Sequence, residues 1–421
     1  MVKFFLVFFL SFSFFENVFS REMSIQKLEE RKKADVERQK KRESRGLKEF
    51  SKKIEFTTTI VFLSKEREIP PVLSNLDPVL SDEGFYGIEL AIEDNLTTGR
   101  FVGHDYNSKM IQVSLKEDLL TEFNELINSG FRYFVADLNE KELLEISNLS
   151  LKKNKDIVIM NVRSKANSLR EKNCKSNLFH IPPSRAMLAD ALTQYLVKKK
   201  WNKWFLVTGN EENDKLFSDA LKYSAKKFNI KIKEERKWDY EADLRRTAQK
   251  EIPLFTKGIK YDVLVVSDEK GIFGEYLPYR TWNPNIVVGT QGLTPKSWHR
   301  THEQWGAVQM QNRFRRTSGR WMTETDYASW VAVRSLGEAI TRLGNNNVED
   351  VKKYLVSGKF GLGAYKGVKV SFRSWNNQLR QPILISAPRS MVTVSPQEGY
   401  IHPFSELDTI GVDKPESTCK F

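Results

Sequence analysis

Two successive runs of strand-like segments, each alternating with helix-patterned segments, constrain this fold more than any other feature. The first run opens with FTTTIVFL (56–63), β-branched and aromatic as a buried strand requires. A loop with Pro70, Pro71 and Pro78 leads to SDEGFYGIELAIEDNLTTG. There Ser81 can cap a helix, Phe85, Ile88, Leu90, Ala91 and Ile92 supply its apolar face, and Gly99 is positioned to end it. KMIQVSL (109–115), RYFVAD, DIVIMNV (156–162) and SNLFHI (176–181) read as further strands. LLTEFNELINS and residues 140–149 read as helices between them. Pro182 and Pro183 then introduce the helix SRAMLADALTQYLVKK.

The rhythm restarts after that helix. KWFLVTG, IKIKEERKW, YDVLVVSDE and NIVVGTQG read as strands; NDKLFSDALKYSAKKFN, DLRRTAQK and GIFGEYLPY read as helices. Strands alternating with helices of this length predict βαβ units and parallel sheets. The expected class is therefore α/β, with one lobe for each run. A long helix is predicted over 323–343, followed by the β-rich segments VKVSFRSW, QPILISA and MVTVS. Open parallel sheets bind ligands at the carboxyl ends of their strands. That rule nominates loops beginning at Asp137, Asn161, Gly209, Asp268 and Thr290.

The N-terminus reads as a secretory signal over residues 1–20. Lys3 precedes an apolar run from Phe4 that reaches Phe15, and Val18 and Ser20 suit cleavage before Arg21. The alternative is an uncleaved anchor. A span needs roughly 20 apolar residues, and Glu16 and Asn17 interrupt this run early. No cysteine stands at the junction for lipid attachment. Residues 21–53 carry much of the formal net charge of +13 but few apolar side chains. Such a segment cannot bury a face and is expected to be a solvated helix or disordered arm, or an arm that docks on an anionic surface. Interleaved glutamates argue against nucleic acid as a partner. The chain has 2 cysteines, Cys174 and Cys419. In an exported protein an even pair invites a disulfide; two unrelated thiols are the alternative.

No catalytic motif is evident. There is no GxSxG elbow and no phosphate-cradling loop; FGLGAYKG (360–367) reads as a turn. HRTHE places His299, His302 and Glu303 at a spacing that would share a helical face and could hold zinc. Gly306 stands where an HExxH motif needs its second histidine, which favours hydrogen-bonded histidines instead. SDEKGIFGE brings Asp268, Glu269 and Glu275 to a strand end. Without an accompanying nucleophile, capping or ligand contact is expected of them rather than acid–base work. Trp282, Trp298, Trp305, Trp321 and Trp330 fall near Arg300, Arg313, Arg315, Arg316 and Arg320. Most should pack in the interior, with one or two reaching a cleft. No cofactor or metal is expected.

From about Phe56 to Cys419 the chain resembles type I periplasmic solute-binding proteins. In particular it resembles the ABC-transporter substrate-binding family associated with PQQ-dependent alcohol dehydrogenase systems. The segments that carry the resemblance are GIELAIEDNLTTGRFVG, PPSRAMLADALTQYLVKKKW, GTQGLTPKSWHRTHEQWGAVQMQNRF, SFRSWNNQLRQPILIS and LDTIGVDKPESTC. It implies a Venus-flytrap fold of two Rossmann-like lobes with three crossovers, expected near 182–184, 303–307 and 361–370. One lobe would hold 54–182 with 306–365, the other 183–305 with 366–421. It further implies that loops at Asp137–Asn139 and Arg163–Asn167 grip an acidic group. A loop matching GTQGL commonly supplies an acid for an ammonium, but Gln291 occupies it here, which argues against an α-amino acid.

Resemblance and strand-end rule together nominate Asp137, Asn139, Arg163, Ser164, Asn210, Asp268, Glu269, Thr290, Gln291 and Trp298 as ligand contacts. The function so implied is a monomeric periplasmic receptor for a small polar molecule, working with ABC-transporter membrane subunits and tied to alcohol oxidation. The alternative is a ligand-independent accessory protein that docks on a periplasmic dehydrogenase or cytochrome.

Overall fold

A computed structural model describes residues 52–68, 80–153, 156–239 and 244–421. The expected signal, nearly all of the basic arm and the Pro70–Pro78 loop lie outside the described residues. Residues 52–55 and 100–103 belong to a small unit of their own, where the Lys52 and Glu55 amides donate to the Arg100 and Gly103 carbonyls. The rest of the chain forms the second unit. No helix among the described residues is long and apolar enough to cross a membrane.

The first run builds β1 (Phe56–Lys65), α1 (Phe85–Val102), β2 (His104–Val113), α2 (Leu119–Asn128), β3 (Tyr133–Asp137), α3 (Glu140–Lys152), β4 (Val158–Asn161) and β5 (Leu178–His180). Its sheet is parallel, in the order β2-β1-β3-β4-β5. Every residue of β3 and β4 is buried, which is why these strands read as continuous apolar runs rather than alternating ones. Along β1, Ile60 and Phe62 enter one core while Val61 and Leu63 enter another. The sheet is thus covered on both faces.

The second run repeats the design. It contains α4 (Arg185–Lys198), β6 (Lys203–Thr208), α5 (Glu212–Lys227), β7 (Lys231–Lys237), α6 (Leu244–Phe255), β8 (Val263–Ser267), the single turn α7 (Leu277–Arg280) and β9 (Ile286–Gly289). The order is β7-β6-β8-β9, again parallel. Trp204 and Leu206 of β6 face one core, Phe205 and Val207 the other. β7, KIKEERK, is the edge and none of its residues is fully buried; its charges suit an edge that must not recruit another strand. β10 (Thr294–Lys296), β14 (Ile383–Ala387) and β15 (Ser390–Ser395) form a small antiparallel sheet. α8 (Ala307–Ser318), α9 (Glu324–Leu343), α10 (Val348–Leu355) and the antiparallel β11 (Leu362–Gly363), β12 (Lys369–Phe372) and β13 (Leu379–Arg380) complete the chain.

Several elements depart from the sequence reading. α1 begins at Phe85, so Ser81 is not its cap; the Gly84 amide instead donates to Asp326 of α9 at 2.7 Å. Gly99 lies inside α1, where a Cβ would sit 2.3 Å from the His104 carbonyl oxygen, so close approach rather than helix termination is its reason. GIFGEYLPY forms a short 3-10 turn and α7 instead of one helix. α8, α10 and β10 were not foreseen.

The chain passes between the two sets of cores three times. The first passage runs from Ile181, in the β1–β5 core, to Met187, in the β6–β9 core. The second lies at Ser297, earlier than expected: β10 pairs with β14, but Trp298 and α8 already pack in the first core. The third lies at 380–382, later than expected, because Val370, Phe372 and Leu379 still fill the first core and Ile383 enters the second. Large apolar side chains decide which core a connecting segment joins, and sequence periodicity carries no label for that. Cys174 and Cys419 are bonded, which excludes two separate thiols.

Candidate functional site

The carboxyl ends of β3 and β4 supply the site's first wall. Asn161, buried at the end of β4, accepts from the amides of Arg163 (3.1 Å) and Ser164 (2.8 Å) and donates to the Ser164 carbonyl (2.8 Å). This closes the loop and aims Arg163 back across the strand ends. Arg163 donates to Asp137 (Nη2–Oδ2 3.0 Å) and to Glu83 (2.6 Å). Arg67 also holds Asp137, at 2.6 Å. Asn139 is engaged elsewhere: it caps α3 in a reciprocal box with Glu142.

The second wall comes from the second passage and the start of α9. Glu324 accepts from the Ser297 amide (2.6 Å) and hydroxyl (3.0 Å), and Lys165 approaches it at 3.2 Å. Burial opposes its ionisation, but Lys165, Lys296 and the Ser297 donors outweigh this and hold the carboxyl at about 2. Trp298 is fully buried, stacked on Tyr327 at 4.4 Å and edge-on to His302 at 5.3 Å. The His299 Nδ1 pairs with the Thr301 hydroxyl at 2.7 Å, and burial with Lys296 and Arg300 nearby pushes the imidazole down to about 4.

Between these walls lies a cavity of about 450 Å³, within the range of small-molecule sites. It sits beside Pro182 of the first passage and 296–300 of the second. Arg163, Lys165, Lys296 and Arg300 face Glu83 and Glu324 across it, while Val162, Trp298, Trp321 and Met322 add apolar surface.

Of the ten nominated contacts, Arg163 and Trp298 line this cavity. Ser164 belongs to the same loop. Asp137 and Asn139 lie at the end of β3, and the other five gather at the carboxyl ends of β6, β8 and β9. Asp268 accepts from the amides of Ile272, Phe273 and Gly274 (2.7–2.9 Å), and Thr290 accepts from the Asp268 amide (2.9 Å). Glu269 is clamped by both branches of Arg185, each at 2.7 Å. Gln291 packs against Gly274, and the Asn210 side-chain oxygen is buried without a hydrogen-bond partner among the described residues. Asp214, beneath this cluster, is pushed up to about 6 by burial and by Asp268 and Glu269. Sequence reasoning did not nominate Lys296 or Glu324, considered His299 only as a metal ligand, and included Lys165 only as part of the 163–167 loop. Lys165 adjoins Ser164, Lys296 and His299 lie inside the motif GTQGLTPKSWHR, and Glu324 sits at the start of the long helix, but the passage that brings them together is a tertiary feature.

HRTHE is a turn rather than a helix, and the His302 ring nitrogen meets the Tyr365 carbonyl at 2.7 Å. No cluster of three metal-ligating side chains occurs among the described residues.

No protein-family model matches the sequence, and no curated protein matches it significantly. Solved structures do match. A leucine-, isoleucine-, valine-, threonine- and alanine-binding protein from Brucella ovis, in a closed conformation, superposes with TM-score 0.66 and 10% identity, over 82% of this chain and 97% of that one. A branched-chain amino acid ABC-transporter periplasmic ligand-binding protein from Burkholderia xenovorans gives 0.64 and 15%, over 80% and 95%. An amino acid ABC-transporter substrate-binding protein from Pseudomonas fluorescens gives 0.61 and 13%, over 87% and 100%. With two parallel sheets, three passages and these likenesses, the chain has the type I periplasmic-binding-protein fold.

Proposed function

We propose that this chain is an exported receptor that captures a small polar molecule in the cleft between its two lobes. The observation that carries this reading is the 450 Å³ cavity at the strand ends, beside two of the three passages. A cleft placed there changes volume when the lobes rotate about those passages, so a ligand bound better in the closed form shifts the chain toward closure. The receptor acts by binding. The carboxylates lining the cavity and Asp268 at the end of β8 are engaged in ion pairs and amide caps, which suits recognition and not proton transfer.

The finer reading places the protein in the periplasm, exported through residues 1–20, and hands its ligand to ABC-transporter membrane subunits. The five long segments quoted above support a link to PQQ-dependent alcohol oxidation, with an alcohol, its acid product or PQQ as candidate ligands. The test is thermal denaturation of residues 21–421 against these compounds and against amino acids. At 100 times its dissociation constant a true ligand adds about 2.7 kcal/mol of stability. No shift with any of them would end the receptor reading.

A further inference from the structure

The cleft's charges are unevenly used. Its two lining carboxylates are both committed: Glu83 to Arg163 at 2.6 Å, and Glu324 to Lys165 and Ser297. Asp137, behind Arg163, is held by two arginines. At the second run's strand ends, outside the cavity's lining, Glu269 is likewise clamped by Arg185, and Asp268 is saturated by three amides. An ammonium group entering this space would have to displace one of these partners and leave a cation unpaired, which is costly in a confined site.

The cations show the opposite balance. Arg163 and Lys165 are neutralised by the carboxylates just named. Lys296 and Arg300 form no ion pair among the described residues; Arg300 donates only to the Pro388 carbonyl, at 3.2 Å. His299 stays neutral near pH 7 and adds no charge. Two cations outside any close ion pair therefore border a cavity whose apolar lining is Val162, Pro182, Trp298, Trp321 and Met322, with Trp321 the exposed one, beside the polar Ser297, His299, Thr323 and Thr325. A bare inorganic anion would leave that apolar surface unfilled.

We propose, resting on the receptor reading above, that the cleft selects a small organic carboxylate that carries no ammonium group. Its carboxylate lies between Lys296 and Arg300, and its apolar body lies along Trp321.

The experiment is calorimetric titration of the full mature chain with matched pairs that differ only in the ammonium: propionate and alanine, succinate and aspartate, 3-phenylpropanoate and phenylalanine. At least one acid should bind about tenfold or more tightly than its amino-acid partner, as loss of a charge-assisted contact implies. Lys296→Met and Arg300→Gln should each weaken that acid by roughly tenfold; Arg300→Gln should leave the melting temperature of the free protein nearly unchanged because its side chain is not ion-paired, whereas Lys296→Met also withdraws a charge that favours the ionised Glu324. Tighter binding of the amino acid, tighter binding of inorganic phosphate, or an acid affinity indifferent to both substitutions would overturn the proposal. If alcohols or amino acids bind and acids do not, only this inference fails. If nothing tested binds, the receptor reading fails with it.

Discussion

Lys366 is buried to 2% exposure, with its ammonium donating to the Gln381 side chain and the Pro382 carbonyl, both at 2.8 Å, and lying 5.0 Å over the Tyr327 ring. None of these partners is a carboxylate, and burial lowers the amine to about 7. The unfolded lysine keeps its proton to about 10.5. Between those values the unfolded chain binds more protons, so stability rises with pH. Lys366→Met should remove part of that rise, by up to about 1.4 kcal/mol per pH unit; urea unfolding at pH 7, 8 and 9 measures it. Glu324 has the opposite sign. Its carboxyl is depressed to about 2 from an ordinary 4.5, so its contribution is complete above pH 4.5 and lost as pH falls toward 2. Glu324→Gln should flatten acid unfolding over that window by about 2 kcal/mol, allowing for a side chain that is a quarter exposed. A different outcome is expected at Asp408, which pairs with both Arg373 and Arg380 at 1% exposure. Asp408→Asn strands two guanidiniums and should cost about 3–5 kcal/mol. A denaturation midpoint near wild type would refute the pairing. None of these three roles was legible in the sequence, because each depends on burial and on partners 15 or more positions away.

At the level of elements, strand centres were readable and ends were not. FTTTIVFL announces β1, and YDVLVVSDE announces β8, through unbroken β-branched runs. α1 and α9 show what such patterns miss. A Cβ on Gly87 of α1 would lie 2.1 Å from the Asp326 carbonyl oxygen of α9, and one on Gly337 of α9 would lie 2.2 Å from the Asn95 side chain of α1. The two helices approach through reciprocal glycines, and Asn95 donates to the Val333 carbonyl at 3.0 Å. In an isolated helix Gly337→Ala would gain about 1 kcal/mol. Here the methyl group forces the helices apart, and a net loss of about 1–3 kcal/mol is expected by chemical denaturation. A stabilised variant would show that the contact is looser than described.

Across the whole second unit, the first and third passages are tied to one another by side chains. Gln381 donates to the Ile181 carbonyl at 2.6 Å, and Gln378 donates to the His180 and Pro182 carbonyls at 3.2 and 3.1 Å. Arg170 reaches the Pro182 carbonyl at 3.0 Å. The disulfide adds a longer tie, joining positions 245 apart in sequence. Replacing Cys174 and Cys419 together with serine should cost about 2–5 kcal/mol. It should also open the last residues to carboxypeptidase, with mass spectrometry following their loss; an unchanged midpoint would show the bond to be dispensable.

The sequence by itself determined the α/β class, the two lobes and the strand ends where a cleft must lie, because periodicity and β-branched runs are local properties. It also nominated the Asp137 and Arg163 loops and the cysteine pair. Only the tertiary structure decided that Arg163 is spent on Asp137 and Glu83, that Trp298 and Leu379 fill the first core, and that Lys296 and Arg300 stay outside any close ion pair. Those are facts about which distant groups meet, and meeting depends on how the three passages are packed.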